Sequence, residues 1–338
     1  MKFKRQLTAL AIAMAAGSSF AQLVVGVSYD TFQEPRWQID EAAIKAELAK
    51  TGAKYIMSDA GASAEKQLAD IDGLIAKGAK VLIILAKDKD AIMPAVNKAA
   101  QLKIPVVSYD RLIAAPGVTY ITFDNEEVGR ITAREVLKVK PKGNYAIIKG
   151  DPGDANAGFL RKGAGEVLEA AIKSGDVKIV GEEFSADWNP GNAQKNMEQI
   201  LTKNGNKVDA VIAQNDNMAG GAIAALNAKG LKGIPVSGQD GDFAALNRVA
   251  LGTQLVSVWK NSVDIGTAGA KAAVELGAGK PVTGASDYLA GDKKVPVKRI
   301  LLKPTPVTRA NLDVVLKGHI SKADLCKGVT DPAVTVCK

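Results

Sequence analysis

The chain has 338 residues, 47% of them apolar and 24% charged, which is ordinary globular composition and enough for two domains with sizeable cores. Its formal charge of +8 comes mostly from scattered lysines, and the longest basic cluster after the N-terminus, 138–142, sits at a predicted helix end, so nothing marks a nucleic-acid footprint. One histidine and two cysteines are too few ligands for a zinc site, and no metal or cofactor is expected.

Residues 1–21 read as a secretory signal peptide. Met1–Arg5 is basic, 7–16 is apolar, and Ser19-Phe20-Ala21 is a small-x-small ending, with cleavage expected after Ala21. The apolar run is too short to span a bilayer. The segment carries Lys2, Lys4 and Arg5 and no acid, so the exported, soluble chain is only mildly basic.

Beyond it, short apolar runs alternate with segments of helical periodicity, each helix commonly followed by Gly. Strands are predicted over 23–30, 54–59, 80–85 and 104–109, with helices over 37–50, 64–77 and 91–101 between them. A strand at 120–125 opens a second series with helices over 128–138, 159–173, 191–203 and 219–228 and strands over 144–150, 178–184, 209–214 and 234–238. This alternation is the pattern of parallel sheets wrapped by helices, α/β in class. The repeat of the logic predicts two similar lobes, residues 22–122 with 258–294, and 123–257 with 295–338, the latter ending in a C-terminal tail. Three chain crossings between them would make a hinge.

In open parallel sheets ligands bind outside the carboxyl ends of the strands. Asp30, Asp110, Arg111, Asp154, Asn156, Trp188, Asn215, Asp240 and Lys260 all follow predicted strands, so facing lobes would bring them to one cleft. Asp offers acceptors and Arg donors, which together suit hydroxyls that both donate and accept. Trp188 could cover the apolar face of a sugar. Asp110, Asp154 and Asp240 balance Arg36, Arg111 and Lys260 in charge, which suits a neutral polyhydroxylated ligand. No G-x-G-x-x-G follows the first strand, against a dinucleotide. Asp110 and Asp240 are also the pair a secreted glycosidase would need. Cys326 and Cys337 form a close pair in an exported chain, read as a disulfide, with two free thiols as the alternative. His319 is read as a surface or capping residue, and Trp37 and Phe123 as core.

Several stretches in order resemble the periplasmic sugar-binding proteins of ABC importers, of the pentose-binding type. They are Pro35-Arg36-Trp37-Gln38, Ser108-Tyr109-Asp110-Arg111, Phe123-Asp124-Asn125-Glu126, Gln214-Asn215-Asp216, Ala219-Gly220-Gly221-Ala222-Ile223, Ser237-Gly238-Gln239-Asp240 and Gly252-Thr253-Gln254. The resemblance implies the type I periplasmic binding protein fold, two Rossmann-like lobes on a three-strand hinge that close on one sugar without catalysis. It implies a periplasmic monomer that carries D-xylose or a related monosaccharide to a membrane permease, or presents it to a signalling kinase. It further implies that Arg36, Asp110, Arg111, Asp154, Asn156, Trp188, Asn215, Asp240 and Lys260 hold the ligand, while Asp124 and Asn125 serve the hinge and a helix cap. The sequence departs from the family pattern at Thr31–Pro35, at 151–155 and in the tail, and the first two bear on which sugar is taken, leaving glucose or another pentose open.

Overall fold

The computed structural model describes residues 22–338, so the signal-peptide reading lies outside the described residues. The chain builds two α/β lobes. The first contains β1 (Val24–Tyr29), α1 (Arg36–Ala49), β2 (Lys54–Asp59), α2 (Ala64–Ala76), β3 (Val81–Ile84), α3 (Met93–Gln101), β4 (Val106–Tyr109) and β5 (Thr119–Phe123). The chain then crosses to α4 (Asn125–Val139), β6 (Gly143–Lys149), α5 (Ala155–Lys173), β7 (Val177–Phe184), α6 (Pro190–Lys203), β8 (Ala210–Ala213), α7 (Asp216–Ala228), β9 (Ser237–Asp240), α8 (Phe243–Leu251) and β10 (Val256–Trp259). It returns with α9 (Ser262–Gly277), β11 (Ser286–Ala290) and β12 (Val295–Leu302), and crosses a third time to β13 (Thr305–Val307) and a tail with the short helix α10 (Lys322–Leu325).

The first sheet runs β2-β1-β3-β4-β5-β12-β11, all parallel except β11, which pairs antiparallel with β12. Its central strands are apolar on both faces because helices cover both. Val81 and Ile83 join the core that includes Ile44 of α1 and Ile265 of α9, whereas Leu82 and Ile84 pack with Ile71 of α2 and Val96 of α3. That is the two-residue alternation of a strand expressed between two buried layers.

Two corrections follow. Residues 295–302, assigned to the second lobe from sequence, pair with Thr119–Phe123 in the first, so the third crossing falls at 303–304. The sheets are mixed rather than purely parallel, since β13 also runs antiparallel to β10. The second lobe's sheet is divided: β7-β6-β8 and β9-β10-β13 touch through a single bridge, Val211 to Val236.

Helix starts are set by side chains that accept from otherwise orphaned amides. Asp124 caps α4 through the Glu127 amide, and Glu126 and Glu127 in its first turn favour the positive end of the helix dipole. Asn189 caps α6 with Pro190 at its first position. Cys326 and Cys337 are joined by a disulfide. The tail packs Leu312, Val315, Ile320 and Leu325 onto Leu246 and Val249 of α8.

Candidate functional site

Where the two lobes meet, side chains from the carboxyl ends of their strands line a small cavity. Eight of the nine expected ligand residues line it: Arg36, Asp110, Arg111, Asp154, Asn156, Trp188, Asp240 and Lys260. Asn215 does not. Its side-chain oxygen accepts the Met218 amide 2.9 Å away and caps α7. A short polar residue directly after a strand and before a helix is the preferred N-cap, and the cap uses only the Asn215 oxygen, leaving its Nδ2 amide as a donor.

Three residues that line the cavity were not assigned to it from sequence: Glu34, Trp37 and Gln239. Trp37 was read as core, and both descriptions hold, because it is buried in the first-lobe core while the Arg36 guanidinium lies 4.3 Å from its ring centroid. Gln239 belongs to β9, one residue before the strand end. Glu34 lies in the irregular segment before α1, where periodicity carries no signal.

The charged groups form one buried network that spans the cleft. Arg36 of α1 donates to Asp240 of the second lobe at 2.9 Å and to Asp110 of its own lobe at 3.1 Å. Lys260, at the second crossing, lies 3.4 Å from both Asp110 and Asp240. Arg111 donates to Asp30 at 2.6 Å and pairs with Asp154 across the cleft at 3.0 Å. Asn156 of α5 donates to Asp110 at 3.0 Å. Every one of these side chains is buried, where Coulomb interactions are far less screened than at the surface.

Burial alone would raise the Asp110 carboxyl, but Lys260, Arg36 and Arg111 outweigh it and hold it at about 2. Asp154 goes the other way, to about 6, because burial exceeds the help of Arg111. Glu34 is pushed up to about 8 by burial and by the charge of Asp240.

Backbone conformation also marks the site. Asp110, Asp187, Trp188 and Asp240 are four of the eight non-glycine residues with positive φ. Such residues need surrounding structure to hold them and gather at functional sites. Trp188 lies directly against the Gly150 backbone, where an added Cβ would fall 2.2 Å from the indole. The indole is thereby fixed as one wall of the cavity. Trp188 Nε1, Gln239 Oε1 and Arg36 Nε are buried without partners among the described residues, leaving polar atoms for a ligand to satisfy.

Outside the cavity a second set of contacts closes the rim. Lys87, in the loop after β3, bonds Asp151 and Asp187 of the second lobe, each at 2.8 Å. Gln33 donates to the Asp187 carbonyl and accepts from Asn189. The Lys89 amide donates to the Gly153 carbonyl at 3.0 Å. None of these could be read from sequence, since Lys87 and Asp151 look like ordinary strand-end charges until the lobes are faced. His319 is half-buried, bonded to the Gly241 carbonyl at 2.7 Å and packed by Trp259 and Phe243, which ties the tail to the turn after Asp240. Burial lowers its pKa.

A model of the periplasmic binding protein domain matches residues 25–281. The chain is 37% identical over 328 residues to the D-xylose-binding periplasmic protein of Escherichia coli strain K12, covering 95% of this chain and 99% of that one. It is 37% identical over 332 residues to the protein of the same name from Haemophilus influenzae, covering 96% and 99%. Its fold superposes with a TM-score of 0.82 on an ABC transporter solute-binding protein from Clostridium phytofermentans with bound β-D-glucose, at 27% identity, covering 89% of this chain and 99% of that one. Two lobes, three crossings and a polar cleft at the strand ends thus coincide with likeness along nearly the whole described chain, and the chain belongs to the periplasmic binding protein family.

Proposed function

We propose that the protein is the substrate-binding component of a sugar ABC importer, which takes D-xylose or a related monosaccharide between its lobes in the periplasm and delivers it, as a monomer, to a membrane permease. The observation that carries this reading is the closed interlobe cavity, walled by three cation–carboxylate systems and one fixed indole. Ionised donors and acceptors side by side bind hydroxyls in short, strong hydrogen bonds, and Trp188 offers a flat apolar surface to the C–H face of a ring. Two relatives named for D-xylose support that sugar, and the glucose-bound neighbour supports the wider class.

A glycosidase needs one carboxyl that keeps its proton to act as general acid, with the other ionised. Asp110, held at about 2, is ionised, and both Asp110 and Asp240 are engaged by Arg36 and Lys260. With both carboxylates held by cations, their role in this reading is grip, and the receptor binds its sugar without catalysis. Titration calorimetry against a panel of pentoses and hexoses tests the proposal: heat with D-xylose or a close relative is expected, and no heat with any sugar overturns it.

A further inference from the structure

The cation–carboxylate network contains more acids than cations. Asp30, Glu34, Asp40, Asp110, Asp154 and Asp240 are all buried, and only Arg36, Arg111 and Lys260 oppose them. Two of the cations are committed elsewhere at hydrogen-bond distance. Arg111 serves Asp30, Asp154 and the Ala86 carbonyl, and Arg36 serves Asp110 and Asp240. Glu34 is left with a 3.8 Å approach to Arg111, and its carboxyl makes no hydrogen bond among the described residues. The charged groups that face it are Arg36 on α1, Arg111 after β4, Asp240 and Asp242 at and beyond the end of β9, and Lys260 after β10. The acids of this set contributed by the second lobe, Asp240 and Asp242, face Glu34 across the cleft.

Burying an ionised carboxylate without a hydrogen-bonded partner is costly, and such a group neutralises instead. Resting on the receptor reading above, we propose that Glu34 is a further ligand-binding residue that enters the closed cleft as a neutral carboxylic acid, taking a proton from solvent as the lobes shut and offering its O–H to a ligand hydroxyl. In an open cleft the same side chain is solvated and ionised at neutral pH. Binding is then linked to proton uptake, and affinity falls by up to tenfold per pH unit between about pH 5 and pH 8, the value to which burial and Asp240 raise Glu34. Asp154 contributes to the same linkage only near its own value of about 6. Asp216, pushed up to about 7 by burial, and Asp242, raised by burial and by Asp216, are the other buried acids of the second lobe that titrate in this range, so the variants below assign the uptake.

The test is calorimetry of D-xylose and D-glucose binding at pH 7 in buffers of differing ionisation enthalpy. Close to one proton taken up per sugar is expected for the wild type. For Glu34→Gln, uptake near zero and an affinity independent of pH from 7 to 8.5 are expected. Asp242→Asn controls for the neighbouring buried acid and is expected to retain the uptake. Sugar binding by the wild type without proton uptake overturns this inference alone, as does uptake that persists in Glu34→Gln or vanishes in Asp242→Asn. If Glu34→Gln does not fold, the wild-type affinity across pH 5 to 8 decides, a flat profile counting against the inference. No heat with either sugar sinks the receptor reading and this inference with it.

Discussion

Replacing Asp110 with Asn removes one negative charge and almost nothing else. The residue holds φ at +59°, a left-handed conformation that Asn tolerates and Ala does not, so Asp110→Asn keeps the backbone where Asp110→Ala would add about 1 kcal/mol of strain. In the wild type the carboxylate engages Arg36 at 3.1 Å, Lys260 at 3.4 Å and Asn156 at 3.0 Å. Truncating one partner of a buried, hydrogen-bonded charge pair costs roughly 2–5 kcal/mol of binding, which is a loss of about thirty-fold to several-thousand-fold in affinity for the sugar. Stability reports the same network independently. A buried carboxyl lowered from 3.8 to about 2 contributes on the order of 2 kcal/mol at neutral pH. Because the folded pKa is depressed, that contribution is full above the unfolded value near 4 and is lost as pH falls towards 2. Wild type and Asp110→Asn should therefore differ in urea unfolding at pH 7 and converge near pH 2. Calorimetry with D-xylose gives the affinity. A dissociation constant within threefold of wild type, in a variant that remains folded, would refute the assignment of Asp110 to the ligand.

Lys87→Met removes the two rim ion pairs while leaving the cavity untouched; as partly exposed pairs they are worth roughly 0.5–1 kcal/mol together, so two- to five-fold faster sugar release is expected by stopped-flow fluorescence. Gly150→Ala drives a methyl into the Trp188 indole and should weaken sugar binding at least tenfold, with a shifted tryptophan emission, as calorimetry and fluorescence will show. Asp154 and Glu34 have raised values in the folded chain, so each favours folding below its unfolded pKa near 4 and loses that contribution as pH rises through about 6 and about 8; thermal melts of the sugar-bound protein should peak in the mildly acidic range. Cys326→Ser opens a loop of 11 residues' separation and should lower stability by up to about 3 kcal/mol in chemical unfolding, with sugar affinity at least partly retained.

Much of this architecture was legible because strand and helix periods differ and because both sheet faces are covered, which turns a parallel strand into an unbroken apolar run. The residue that follows such a run lies at the ligand edge, and that rule alone found Asp110, Arg111, Asp154 and Asp240. At Asn215 the same strand-end position is also a helix cap, so one side chain serves the fold with its oxygen. Gln239 directly follows the predicted strand 234–238 and was passed over for the acid beside it, whereas Glu34 was missed because a loop with no period places it. The partner of β12 was equally hidden, since an apolar strand does not name the sheet it joins.

The division of the second sheet has a mechanical consequence. Asp240, the residue that reaches Arg36 across the cleft, stands on β9, whose half-sheet is attached to its neighbour by the single bridge from Val211 to Val236. A ladder of one rung resists little shear. The end of β9 is held in addition by α7, whose Asp216 carboxylate accepts from the Gly241 and Asp242 amides at 3.0 Å each, and from behind by α8, the disulfide-closed tail packed upon it, and His319 bonded to the Gly241 carbonyl. The tail is thereby one of the supports behind the acidic jaw, and loosening it should be felt at Asp240 before it is felt in the first lobe.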